Sequence, residues 1–256
     1  MDGTDLAMTA LDPVQLALIA LIAFCASILG GISAFGTGLL VTPFLVPVLG
    51  IKAVVPVMAV AMTFGNLSRA WANWRQMDRR VAFLILLPAV PGIILGTKIY
   101  DWLPAHVLSV VVGFFLLVSI PARRVLGAKV AHPSTGGLLG LGSVFGLVSG
   151  AVPGGGILLL PMLLGLGIGG GGVIGTDGLI GVATSGLKMI MFGVYDLLSV
   201  QLFLAGVLIG LFMLPGAFLA KRIVDRLHVR VHTALIEVLV AVGGLMILWD
   251  GIANWP

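Results

Sequence analysis

Long apolar runs separated by short polar connections dominate the pattern of the chain. Eight runs are long enough to cross a bilayer as helices, because about 20 residues rising ~1.5 Å each match a hydrocarbon core of roughly 30 Å. They lie at residues 13–33, 51–74, 81–101, 104–122, 136–152, 171–193, 199–220 and 231–249. Two shorter runs, 37–49 and 155–168, suit broken or re-entrant helices. The pattern predicts an all-α polytopic membrane protein.

The composition identifies lipid as the main solvent of the chain. Apolar residues make up 59% of the sequence and charged residues only 9%, and the mean hydropathy is +1.20. A soluble domain carries about 25% charged residues, so there is too little polar surface to cover a globule in water. The net charge of +4 resides largely in short loops, which favours a lipid bilayer and not a nucleic acid as the partner. The lone Cys25 is expected to be a small buried residue.

Lys and Arg are distributed unevenly among the connections. Of the 14 basic residues, 11 lie around three connections, near residues 75–80, 123–134 and 222–230. The positive-inside rule assigns these connections to the cytoplasm, and counting crossings then assigns both termini to the opposite side of the cell (inner) membrane. Aromatic residues are expected at the two interfaces: Tyr100, Trp102, Tyr195, Trp249 and Trp255 at the outer one, Trp71 and Trp74 at the inner one.

The two halves of the chain repeat one sequence pattern. Three segments match in order: 91–103 with 215–227, 36–43 with 154–161, and 63–65 with 184–186. Three ordered matches predict a duplication, with repeats at 13–124 and 135–251 within one membrane domain. Because the first repeat begins outside and the second inside, the repeats are inverted. Inverted repeats with interrupted helices are typical of secondary transporters that hold their substrate near the midplane.

Glycine clusters interrupt the apolar runs at equivalent places in the two repeats. They consist of Gly36, Thr37 and Gly38 in the first repeat and Gly154, Gly155 and Gly156 in the second. Glycine permits non-helical backbone, which is tolerated at membrane depth only inside protein or beside a wet cavity. The short helices that follow would present unpaired N–H groups and a positive dipole end, which suit a small oxyanion. Close helix packing through small residues is the competing interpretation.

Polar side chains in the helices after the breaks extend this hypothesis. The candidate substrate contacts are the two glycine clusters with Thr37, and Asn66, Thr184 and Ser185. Arg69 and Lys188 are expected to attract the anion along its pathway. The competing interpretations are a topological role for Arg69 and snorkelling of Lys188 to the interface. Asp177 and Glu237 are candidates for proton coupling, and Asp177 is also suited to pair with a cation or to cap the start of a helix after Thr176.

Residues for enzymatic chemistry or for a bound metal do not form a recognisable set in the sequence. No Ser-His-Asp arrangement, pair of carboxylates or complete ligand group is visible. The chain is therefore expected to be neither an enzyme nor a cofactor protein. A small anionic substrate and the lipid bilayer are the expected partners, and homo-oligomerisation stays open.

The repeated motifs resemble those of the TauE/SafE family of sulfite exporters. Each repeat has a glycine-rich break, apolar residues and a Pro, then a Thr/Ser-Gly helix and a late G-x-x-L-G/A-x-K/R-I-x-D-x-L stretch, across about residues 13–250. The resemblance implies a secondary transporter, an exporter of small sulfur-containing anions such as sulfite or organosulfonates. The family's glycine triplet is intact at Gly154–Gly156, whereas Thr37 replaces the middle glycine in the first copy. A passive anion channel and a non-transporting membrane subunit are the alternative functions.

Overall fold

The computed structural model describes residues 18–19, 21–28, 37–129, 135–153, 155–168, 170–223 and 229–255, and these are almost entirely helical. Residues 18–19 and 21–28 are helical. The helices after them are α1 (Thr37–Leu49), α2 (Ile51–Ala72), α3 (Arg79–Trp102), α4 (Ala105–Lys129), α5 (Thr135–Ala151), a 3₁₀ turn (Gly155–Leu158), α6 (Leu159–Gly165), α7 (Gly171–Val194), α8 (Val200–Ile223) and α9 (Val229–Ala253). Within the described ranges there is no β-strand.

Five of these helices are long and apolar enough to cross a membrane, namely α2, α3, α4, α7 and α8. Helices α1 and α5 are apolar but shorter, with 13 and 17 residues. The predicted all-α polytopic membrane fold is confirmed. The boundary of one element is different, because residues 123–129, expected to belong to a cytoplasmic loop, continue α4 as helix. Ala, Leu and Arg in this stretch favour helix once the chain has left the apolar run.

Helices α3 and α5 run parallel with their backbones in contact. A Cβ atom at Gly92 would lie 2.7 Å from the amide nitrogen of Leu147, and one at Gly150 would lie 2.6 Å from the carbonyl oxygen of Ile93. Only glycine allows helices to approach this closely. Gly150, near the end of α5, lies beside Ile93, and α3 continues for about 14 Å beyond Ile93. The break that follows α5 therefore lies within the helical bundle.

Helices α2 and α7 run antiparallel beside each other, and α7 also packs against α3 while α2 packs against α8. A Cβ atom at Gly178 of α7 would lie 2.7 Å from the amide nitrogen of Ala70 in α2. The absence of a side chain at Gly178 therefore brings the polar faces of the two helices together.

Two residues lie differently from the expectation. Tyr100, assigned to the outer interface, is fully buried: its hydroxyl donates to the carbonyl oxygen of Ile51 at 2.8 Å, and its ring packs edge-on against Phe192 at 5.3 Å. Burial of a tyrosine is acceptable because the hydroxyl has a hydrogen-bond partner. Cys25, expected to be buried, is exposed, which an apolar thiol tolerates where the surroundings are lipid.

Candidate functional site

A cavity of about 60 Å³ lies between α2, α5, the 3₁₀ turn, α6 and α7. One water position takes roughly 10–15 Å³ by this measure, so the space suits about four water molecules or one small oxyanion. The wall contains apolar side chains and seven polar or charged ones, which are Asn66, Arg69, Ser149, Asp177, Thr184, Ser185 and Lys188. The cavity is therefore small, polar and positioned beside the second glycine-rich break.

A buried ion pair between α2 and α7 forms one wall. Arg69 Nη1 lies 2.8 Å from Asp177 Oδ2, and the two side chains are only 7% and 9% exposed. Arg69 Nη2 donates to Asn66 Oδ1, and Asn66 Nδ2 donates to Ser185 Oγ at 3.3 Å. The close approach of the helices at Gly178 makes this polar chain possible. Nη1 is buried and contacts the Asp177 carboxylate without a hydrogen bond of good geometry.

Lys188 provides the remaining charge of the cavity. It follows Asp177 by three turns of α7, about 16 Å along the axis, and is buried. Its Nζ donates to the carbonyl oxygen of Val152 at 3.3 Å, just beyond the carboxyl end of α5, where the helix dipole favours a cation. Over the described part of the chain, Lys188 has no carboxylate within ion-pair distance. With Arg69 paired to Asp177, Lys188 is a basic group of the cavity wall without an acidic partner among the described residues.

The glycines of the second break have different environments. A Cβ atom at Gly155 would lie 2.7 Å from Ser149 Cα, so this position must be glycine for the chain to turn back against α5. A Cβ atom at Gly156 would lie 3.5 Å from Asp177 Oδ1, at ordinary contact distance. Gly156 therefore exposes its backbone to the cavity, whereas Gly155 packs the turn.

The structure brings together most of the site residues expected from the sequence. Those that line the cavity are Asn66, Arg69, Gly155, Gly156, Asp177, Thr184, Ser185 and Lys188. Those that do not are Thr37 and Gly38, which are buried at the start of α1, and Glu237, which is half-buried in α9. Gly36 and Gly154 lie outside the described residues.

Two interpretations of charged residues are wrong. Asp177 is not a helix cap, because α7 already begins at Gly171 with Gly170 in the capping position; the left-handed φ of 52° at Gly170 allows the chain to enter the helix earlier than expected. Lys188 does not snorkel to an interface, because its side chain is buried and bonded to Val152. Arg69, one of the basic residues near a predicted cytoplasmic connection, is buried in the ion pair.

Several lining residues were missed by sequence reasoning. Met58 and Met62 belong to the same helical face as Asn66 and Arg69, and the spacing of three and four residues along α2 could have identified them. Ser149 is a polar residue one turn before the break, and that position was its only signal. Within the described residues, no group of three or more His, Cys, Asp or Glu could hold a metal ion.

Comparison with known proteins identifies one family. The family model described as "Sulfite exporter TauE/SafE" matches residues 19–247. Searches of curated proteins and of solved structures give no significant match. The match extends over most of the chain and includes both breaks and every residue that lines the cavity, so the family expected from the repeated motifs is confirmed. The chain belongs to the TauE/SafE sulfite exporter family of membrane transporters.

Proposed function

We propose that this protein is a secondary transporter that exports small sulfur-containing anions, such as sulfite or organosulfonates, by alternating access across the cell inner membrane. The observation that carries the proposal is the uncompensated Lys188 at a small polar cavity within the helical bundle. A buried charge without a partner is costly, and in membrane helices such residues usually mark a substrate pathway. An anion in the cavity would offset that cost.

The donors of the cavity suit an oxyanion. Lys188 has donors beyond the one that bonds Val152, and the Thr184 hydroxyl lines the same space. Lys188 lies about three turns of α7 from the Arg69–Asp177 pair, so an anion beside Lys188 would be held by moderate contacts and not by one tight bidentate pair. A carrier needs this balance because it must release what it binds.

Matching contacts in the two halves support the inverted-repeat mechanism. Helix α3 packs on α7 as α8 packs on α2, and α1 packs on α9 as α6 packs on α4. The pair α3 and α5 has its counterpart in α8 and the helical segment at 21–28, where the Ser27 hydroxyl donates to the carbonyl oxygen of Met213 at 2.6 Å. These helix contacts of one half therefore have counterparts in the other half. A site between such repeats can open alternately to either side of the membrane.

Flux measurements on purified protein in liposomes test the transport function. We expect slow, saturable movement of radiolabelled sulfite and methanesulfonate, with loss of flux in Lys188→Gln. Large unitary currents would instead identify a passive anion channel. Absence of flux for every anion tested, with correctly folded protein, would support a non-transporting membrane subunit.

The orientation proposed from the basic connections, with both termini outside the cytoplasm, requires a separate test. The exposed Cys25 is first replaced by serine, and single cysteines are then introduced at Gly127 and at Asn254. An impermeant reagent added to intact cells should label Asn254→Cys and leave Gly127→Cys unlabelled. The reverse pattern would contradict the orientation and, with it, the order in which the repeats are inverted.

A further inference from the structure

We infer that Asp177 determines the charge of the anion that the cavity accepts, so that the site selects monovalent over divalent oxyanions. This inference rests on the proposed function and specifies the valence of the substrate. Its basis is the arrangement of the ionisable side chains around the cavity. Asp177 pairs with Arg69 at 2.8 Å, while Lys188 has no acidic partner among the described residues.

The ionisable groups can be assigned to each element of the wall. Helix α2 contributes Arg69, and α7 contributes Asp177 and Lys188, whereas α5, the 3₁₀ turn and α6 contribute no ionisable residue to the lining. Two positive groups and one negative group leave a single positive charge. One monovalent anion neutralises the cavity, and a divalent anion would leave a buried negative charge.

The position of the carboxylate adds a direct repulsion. Asp177 lines the cavity beside Gly156, where an added Cβ atom would lie 3.5 Å from Asp177 Oδ1. Asp177 is the acidic residue among those that line the cavity, so its carboxylate is the group of the wall that repels a bound anion. Repulsion between like charges grows with the charge of the ligand and is poorly screened in a buried site. Asp177 is thus the residue that disfavours a second negative charge.

Methanesulfonate and sulfate are suitable probes. Each is tetrahedral with five non-hydrogen atoms, and neither changes its charge near neutral pH, so valence is the main difference between them. Binding is measured by calorimetry on the purified full-length protein at equal ionic strength. We expect the wild-type protein to bind methanesulfonate at least about tenfold more tightly than sulfate, since juxtaposed like charges cost several kcal/mol.

Asp177→Asn is the decisive variant, because asparagine keeps the shape of the side chain and removes its charge. The cavity then has two positive charges, and we expect the preference to shift toward sulfate by about tenfold or more. The double variant Arg69→Gln/Asp177→Asn returns the cavity to one positive charge and should recover the preference for methanesulfonate. Asp101→Asn is the matched control: Asp101 pairs with Lys98 at 2.8 Å away from the cavity, so its removal should leave the preference unchanged.

Three results would overturn the inference. The first is a wild-type protein that binds sulfate as tightly as methanesulfonate, a test that needs no variant to fold. The second is a folded Asp177→Asn protein with an unchanged preference, and the third is a double variant that prefers sulfate. Flux in liposomes separates this inference from the proposed function. Valence-dependent binding without flux of any anion contradicts transport alone, whereas flux with a preference that does not depend on Asp177 contradicts only the role of Asp177.

Discussion

The helices that follow the two glycine-rich breaks have contrasting surroundings. In α1, after the first break, Thr37 and Gly38 are buried, and the next three residues, 39–41, belong to the larger apolar core. After the second break, Gly155 and Gly156 face a cavity lined by a buried ion pair and by Lys188. The helix after the first break thus begins among apolar side chains, whereas the second break borders a cavity lined with charged ones.

The two halves therefore share an arrangement of helix contacts but differ in the charged residues at equivalent positions. In the alignment of Thr63 with Thr184, Asp177 corresponds to Pro56 and Lys188 corresponds to Leu67. The equivalents in α2 therefore contain neither ionisable group. The helix contacts that match between the two halves depend on small and apolar residues, whereas Asp177 and Lys188 give the described cavity charges that the equivalent positions lack. Under the proposed alternating-access mechanism one binding site is sufficient, because the halves that move must be alike but need not each bind the anion.

The largest effect expected on anion binding comes from Lys188→Gln. Loss of the uncompensated charge should lower anion affinity by about 10- to 100-fold, the range of a charge-assisted hydrogen bond of roughly 1.5–3 kcal/mol. The thermal unfolding temperature should stay the same or rise, because a buried charge without an acidic partner is removed. Calorimetry and thermal unfolding of the purified protein measure the two quantities.

Lys52→Gln is the control for this prediction. Lys52 Nζ donates to the carbonyl oxygens of Tyr100 and Asp101 at the end of α3, at 3.3 and 3.0 Å, and does not line the cavity. This variant should keep its anion affinity. Equal losses in Lys188→Gln and Lys52→Gln would mean that surface potential, and not the second break, attracts the anion.

The two glycines of the second break separate packing from ligand contact. Gly155→Ala places a methyl group 2.7 Å from Ser149 Cα, and overpacking of this kind costs about 1–3 kcal/mol of stability. Gly156→Ala fits sterically but narrows the cavity beside Asp177, so it should fold normally and bind anion about tenfold more weakly, which corresponds to roughly 1.4 kcal/mol. Size-exclusion profiles, thermal unfolding and calorimetry distinguish these outcomes.

Gly186→Ala is the matched glycine control, because nothing lies within 4 Å of its would-be Cβ atom in α7. It should be neutral or stabilising by up to about 1 kcal/mol, the helix propensity difference between the two residues. If Gly155→Ala were as well tolerated as Gly186→Ala, the turn against α5 would not be packed as described.

Thr184→Val and Thr63→Val compare equivalent positions of the two repeats directly. Each hydroxyl bonds a carbonyl of its own helix, that of Gly181 at 3.2 Å and that of Ala59 at 2.9 Å, so the structural cost of replacement is similar. Only Thr184 lines the cavity. We expect Thr184→Val to weaken anion binding by about 2- to 10-fold, in line with the loss of one neutral hydrogen bond. An equal effect of Thr63→Val would indicate a second site in the first repeat.

The smallest effect is expected for Thr37→Val in the first break. Thr37 was a candidate donor to the anion, but it is buried at the start of α1 and absent from the cavity wall. Anion affinity should change by less than about twofold, well below the effect of one lost hydrogen bond. A tenfold loss in this variant would place the ligand between the two breaks and would contradict the contrast drawn between them.

Helix positions in this protein could be predicted closely from the sequence. Residues 81–101 were expected to form the span that the structure gives as Arg79–Trp102, and 171–193 the span observed as Gly171–Val194. This accuracy has a physical origin: the bilayer sets the length of an apolar run, and every backbone polar group in lipid must be bonded within its own helix. The polar residues within such runs, among them Lys188, were recognised as site candidates because burying them in lipid is expensive.

The contacts between helices were not determined by these local rules. The pairing of Arg69 with Asp177 depends on the close approach of α2 and α7 at Gly178, and residues 108 positions apart in the chain show no periodicity that reveals it. The charged surroundings of the second break are likewise tertiary, because Gly36–Gly38 and Gly154–Gly156 follow the same pattern. The sequence by itself determined where most of the described helices lie. Only packing decided that the second break opens onto charged side chains, since a cavity exists where neighbouring helices leave space unfilled, and that depends on residues distant in the chain.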